Sequence, residues 1–238
     1  MSGTYAGAVT APEVELGRVW RRLVGPAAGR VGDGALDELL ARHRQPHRRY
    51  HTATHVMWVL RHIDDLAAAH SADAPAADAD HLDLDAVRAA ALFHDAVYDP
   101  RSPTNEHDSA LLARRALSDC GWEQERIERV AGLIELTAGH LTPDSGAGAD
   151  AGADILLDAD LAVLGAEPAD YRAYVTGVRV EYAHVDDDGW RTGRAAVLRG
   201  FLARPVIYRT TAMRAARERR ARANLSAELA DLQRTAPR

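Results

Sequence analysis

The residues best able to do chemistry in this 238-residue chain are histidines and aspartates in three short segments. His94 and Asp95 are adjacent within AALFHDAVYDP, and upstream His51 and His55 stand four apart in RRYHTATHV. An imidazole and a carboxylate from neighbouring residues can both reach one divalent cation when a helix end or turn splays them. A bound cation makes water a nucleophile near neutral pH. On a helix, residues four apart point the same way, so His51 and His55 can each bind a metal or carry a proton beside one. The third segment is ILLDADLAVLG, where Asp158 and Asp160 interrupt an apolar run. A carboxylate entering a buried helix is costly unless it is paired or bound to a cation. Asp158 can be explained as an N-cap, whereas Asp160, followed by Leu161, Val163 and Leu164, is the better ligand. Each signal also has an ordinary reading. Eleven histidines make such spacings common, and a His-Asp pair can be a helix-end histidine beside a capping aspartate.

The elements that must position these groups read as helices. Alanine, leucine, arginine and glutamate are abundant, while aromatic and β-branched residues are sparse, so an all-α fold is expected. At 47% hydrophobic residues the chain can bury one substantial core, and one domain over residues 1–238 is expected. Its metal-site core would span about residues 46–165, and C-terminal helices over about 168–235 would complete it. ELGRVWRRLVG has helical spacing, a Gly/Pro-rich break follows over Gly25 to Gly34, and a second helix runs to His43. After Pro46, His51, His55, Val59 and Ile63 recur on one helical face to about His70. An acidic loop then leads to a helix capped by Asp85 that ends near His94 and Asp95. Helices follow over Asn105 to Cys120, closed by Gly121, and up to His140. LTPDSGAGADAGAD reads as a loop. The chain is helical again after Pro168, with breaks near Asp186 to Gly189 and at Arg204-Pro205. Residues Met213 to Gln233 form an amphipathic closing helix that covers the core or a partner, which leaves oligomerisation through it open.

Composition also excludes function classes. A net charge of −6 and a pI near 6 argue against non-specific binding of nucleic acid, although a short phosphate-bearing ligand remains compatible. The lone Cys120 leaves no internal disulfide and no thiolate pair, so a metal would use nitrogen and oxygen, in keeping with a reducing cytoplasm. No export signal and no long uncharged apolar stretch stand out, so a cytoplasmic protein without a membrane span is expected.

In the order Tyr50-His51-x-x-x-His55-Val56, Phe93-His94-Asp95, Thr137-x-x-His140 and Ala159-Asp160-Leu161, the chain resembles the HD superfamily of metal-dependent phosphohydrolases, in the arrangement that cyclic-nucleotide phosphodiesterases share. RRYHTATHV, FHDAVYDP, NEHDSA, DADLAVLGA, EYAHV and GFLARPVIY further resemble a bacterial subfamily described as HD-type phosphohydrolases. The resemblance implies a compact HD-domain helical bundle. In it, His55, His94, Asp95 and Asp160 bind a divalent metal, and His51 protonates the leaving group. Two imidazoles and two carboxylates suit manganese, iron, cobalt, nickel or zinc. Asp95 can bridge to a second ion, where magnesium is also admissible. A carboxylate near His51 would favour its protonated form, and Glu106 is the candidate, or else a ligand of the second metal or of water. Arg48 is expected to meet a substrate phosphate. His140 is expected at the substrate phosphate or behind the ligands, or as an ordinary helix-end histidine.

The implied activity is hydrolysis of a phosphoester or phosphoanhydride of a nucleotide or similar small phosphorylated molecule. The chain departs from the phosphodiesterases after His94-Asp95, where it reads AVYDPRSPTNE in place of a further histidine and glycine, and it lacks an identifiable purine-binding C-terminal region. Two other classes compete. Some HD-fold proteins hold two irons and oxidise substrates with oxygen. A non-catalytic nucleotide-binding sensor is the other, and the intact ligand set weighs against it.

Overall fold

Ten α-helices and no strand make up the regular structure among the residues described by the computed structural model, 11–73, 82–138 and 150–234. The helices are α1 (Pro12–Val24), α2 (Gly29–His43), α3 (Ala53–Asp73), α4 (Leu84–Phe93), α5 (Asn105–Asp119), α6 (Gln124–Thr137), α7 (Ala151–Asp160), α8 (Pro168–Glu181), α9 (Asp187–Leu202) and α10 (Thr211–Arg234). A 3-10 turn, Leu161–Gly165, continues α7 towards α8. The all-α expectation therefore holds, and no helix among the described residues is long and apolar enough to cross a membrane.

Helix α4 is the axis of the fold. Ala86, Val87 and every residue from Ala89 to Phe93 are buried, so most of the helix is apolar and enclosed, with Arg88 paired to Asp64 and Asp85 on its one charged face. Its alanines let neighbours approach closely, and it touches α1, α3, α5, α6 and α7. The cap at its start is Asp83, not the expected Asp85: the Asp83 carboxylate accepts from the Ala86 amide at 3.0 Å and from Arg126 of α6 at 2.7 Å through two nitrogens. One continuous buried core runs from Leu16 of α1 to Leu225 of α10.

Three more helix starts differ from the sequence expectation. Helix α2 begins at Gly29, inside the glycine-rich stretch read as a break. Gly32 lies where Trp20 of α1 donates its indole N–H to the Gly32 carbonyl at 2.7 Å, and a Cβ there would come within 2.9 Å of Ala28. That glycine serves close helix approach rather than a loop. Helix α3 begins only at Ala53, so His51 lies in the turn before it and the two histidines do not share one helical face. Helix α7 begins at Ala151, capped by the Asp150 carboxylate, so the last residues of the expected loop are already helical.

The C-terminal helices are tied to this core by buried polar groups. Asp158 caps no turn of its own helix. Its carboxylate accepts from the amides of Arg209 and Thr210 and from the Thr210 hydroxyl, each at 2.7 Å, and so fixes the start of α10. Arg194 of α9 forms a two-pronged pair with Glu228 of α10 at 2.8 and 3.0 Å. The apolar residues Met213, Ala221 and Leu225 of α10 are buried, and Leu229 and Leu232 pack against the core, so this stripe is used within the chain.

Where the 3-10 turn meets α10 there is no room for a side chain. A Cβ on Gly165 would lie 2.6 Å from the Arg217 Cβ, 2.9 Å from its carbonyl oxygen and 2.9 Å from the Tyr208 hydroxyl. Gly165→Ala is expected to lower unfolding stability by about 1–3 kcal/mol through overpacking. Urea denaturation checks this, and an unchanged midpoint would show that α10 yields without cost.

Candidate metal centre

Three helix ends converge on one point. His94 is the residue at which α4 stops, and its Nδ1 donates to the Ala91 carbonyl at 2.9 Å, which leaves Nε2 as the available nitrogen. His55 enters from the first turn of α3, with its Nε2 3.2 Å from that of His94. Asp95 Oδ2 is 3.1 Å from His94 Nε2 and 3.4 Å from His55 Nε2. Asp160, the last residue of α7, places Oδ1 3.0 Å from His55 Nε2 and 3.4 Å from His94 Nε2. The structure thus brings together the four residues named as ligands from the sequence.

The donor atoms of His55, His94 and Asp95 lie close enough together to hold one cation, and Asp160 stands against both imidazoles. Nitrogen and oxygen atoms about 2.1 Å from one ion lie roughly 3.0–3.4 Å from each other in tetrahedral or octahedral arrangements. In the metal-free protein the same cluster must be held by protons. Burial opposes charge on His94, but Asp95 and Asp160 outweigh it and raise its pKa well above the usual imidazole range. His55 is raised too, because its hydrogen bonds to Asp160 and Asp95 overcome burial. Burial pushes Asp95 up, yet His94 and His51 hold it well below the usual carboxylate range. A divalent cation would supply that positive charge in place of the protons, so the donor set fits a metal and its binding would release protons.

Around this cluster, two expected roles are corrected. Arg48 does not face a substrate: it is buried, and its guanidinium donates to the carbonyls of His51 at 3.0 Å, Asp95 at 2.7 Å and Ala96 at 3.0 Å. It is a clasp that joins the turn bearing His51 to the end of α4. Glu106 is not the carboxylate on His51. It stands in the first turn of α5, while His51 Nδ1 donates to Glu181 Oε2, from the end of α8, at 2.6 Å. Glu181 Oε1 accepts from the backbone amides of Arg49, Tyr50 and His51 at 2.6, 2.7 and 3.1 Å, and the Tyr98 hydroxyl donates to Oε2 at 2.9 Å. With the Glu181 side chain fully enclosed, His51 is fixed with Nδ1 committed and Nε2 available.

The rings around His51 complete its setting. Tyr98 lies against it with centroids 4.3 Å apart, and Tyr50 packs on both His51 and His55, at 5.0 and 4.8 Å. Glu181 and Tyr98 were missed as functional residues, although both sit in motifs noted in the sequence, EYAHV and FHDAVYDP. His140 lies outside the described residues. His55 and Asp160 also line a cleft of about 620 Å³, bounded by Tyr50, Trp58, His62 and Tyr174. Comparison with protein-family models, with curated proteins and with solved structures finds no match to the chain.

Glu181 gives the site a defined acid sensitivity. Burial raises its pKa, but the hydrogen bond and charge of His51 and the backbone amides bring it from 4.5 to about 2. A depressed carboxylate stabilises the fold fully above its unfolded pKa, and that contribution is lost as pH falls towards its folded value. In chelator, Glu181→Gln is expected to unfold at lower urea than the parent at pH 7, and the gap should narrow as pH falls from 4.5 towards 2. A gap of constant size down to pH 3 would contradict the assignment.

Proposed function

We propose that this chain is a metal-dependent phosphohydrolase of the HD type, which cleaves a phosphoester or phosphoanhydride of a nucleotide or similar small phosphorylated molecule. The observation that carries the reading is the convergence of Asp95 and Asp160 on the paired imidazoles of His55 and His94, at 3.0–3.4 Å from their Nε2 atoms, beside a histidine that has its own buried carboxylate. The order of these residues in the sequence, which resembles that superfamily, supports it further.

A divalent cation held by these residues would supply Lewis acidity to a phosphoryl group and would lower the pKa of water. The protein's own groups do the rest. His55 and His94 give neutral nitrogen donors, while Asp95 and Asp160 balance the cation's charge. His51, held through Nδ1 by Glu181, presents Nε2 for proton transfer to the leaving-group oxygen. Tyr98 and the three backbone amides fix Glu181 in turn, so the proton donor has one orientation rather than several. Tyr50 and Tyr174, whose rings meet at 4.7 Å, flank the cleft at the cluster and limit water there.

Elemental analysis, coupled to phosphate release from a nucleotide panel with added manganese, cobalt, nickel or magnesium, tests the reading. Asp95→Ala is expected to lose both metal and activity with helical content, measured by circular dichroism, nearly unchanged; full activity in that variant would overturn the site. His51→Ala should retain metal but release phosphate roughly 100- to 10,000-fold more slowly, the scale of a lost general acid. A normal rate would assign the proton to another group. Stoichiometric iron with no phosphate release from any member of the panel would replace hydrolysis by oxygen chemistry.

A further inference from the structure

We propose that Trp58 is the platform on which a planar ring of the substrate stacks, so that the cleft selects phosphorylated molecules bearing a nucleobase-class aromatic group. The phosphate end of this inference rests on the phosphohydrolase reading above; the ring end rests on the cleft itself.

Trp58 and His55 both lie on α3 and both line the cleft. At 1.5 Å rise per residue, Trp58 is about 5 Å and His62 about 10 Å further along the helix axis than His55. A phosphoryl group at His55 and Asp160 would therefore leave its substituent, at the distance of one sugar, alongside these two rings. Trp58 is 50% exposed, whereas Trp20 is 1% exposed in the core. Its exposed indole is nevertheless held in place. The Arg61 guanidinium carbon lies 5.0 Å from the ring centroid, and Arg61 is itself gripped by both carboxylate oxygens of Glu15, at 2.9 and 2.6 Å. The His62 ring stacks near it at 6.4 Å and an interplanar angle of 29°.

One wall of the cleft suits a flat, weakly polar group, while Arg49, Glu167, Asp170 and Arg220 add charge elsewhere in its lining. Ala162, Val163, Ala166 and Ala173 line the cleft with short apolar side chains, and Arg217 stiffens that wall by donating to the carbonyls of Ala162 and Gly165 at 3.2 and 3.3 Å. Burial, with Arg217 nearby, lowers the His62 pKa to about 4, so at neutral pH it offers an uncharged ring that can exchange hydrogen bonds with a base edge. An indole already held in position gains stacking without losing much rotamer freedom, and stacking is tolerant of which base is bound.

Trp58→Leu tests the platform, since the side chain is half exposed and its loss leaves the core intact. In metal-loaded protein, the ratio of kcat/KM for a nucleoside monophosphate to that for glycerol phosphate is expected to fall about ten-fold or more, the effect of one lost stacking contact. An unchanged ratio would overturn the platform. Titration with phosphate-free adenosine separates this from failure of the phosphohydrolase reading. Adenosine should quench tryptophan fluorescence in the parent and not in Trp58→Leu, even if neither phosphate ester is hydrolysed. Absence of saturable quenching in the parent, or equal quenching in both proteins, would sink the proposal whatever the hydrolysis assay gives.

Discussion

Two buried imidazoles with two carboxylates 3.0–3.4 Å from their Nε2 atoms set the constraint on which this structure turns. Four polar groups removed from water need compensating charge, whether protons or a cation, and they need it at one point. In this chain that point lies where helix ends meet. The start of α3, the end of α4 and the end of α7 provide it. The apolar surface of α4 then determines how the other helices gather around that point.

Beyond the cluster, buried polar groups act as ties between distant segments. Arg48 joins the turn before α3 to the residues after α4; Glu181 joins that same turn to α8; Asp158 joins α7 to the start of α10. Each tie ends largely on backbone amides or carbonyls. Main-chain partners have little freedom to rearrange, so these contacts define geometry more tightly than pairs of long side chains would. In particular, Asp160 stands two residues from Asp158, whose carboxylate is fixed by three donors at 2.7 Å.

The helices were legible from 3.6-residue periodicity, and the four clustered side chains from short motifs and the family those motifs resemble. What was not legible depended on contacts between remote segments. Glu181 is one acid among many on a helix with polar faces, and only the folded chain brings it to His51, 130 positions earlier. Arg48 beside the histidine motif read as a phosphate contact, since nothing local announces that a guanidinium will be buried against three carbonyls. Asp160 rather than Asp158 stands at the cluster. Asp158, which reads as a cap in the sequence, caps no helix and instead holds Arg209 and Thr210 just before α10, where the Thr210 hydroxyl accepts from the Met213 amide. Gly32 illustrates the same limit, with a residue that reads as a loop signal standing instead inside a helix, where a Cβ would crowd Ala28 and Val24.

The carboxylate on His51 comes from α8, whereas His55, His94, Asp95 and Asp160 all precede it in the chain. On the proposed function, the residues that would capture a cation and the carboxylate that orients the proton donor are therefore encoded in separable stretches of the sequence. A change confined to α8 would then loosen His51 while leaving the four clustered side chains in place, and so turn a catalyst into a receptor.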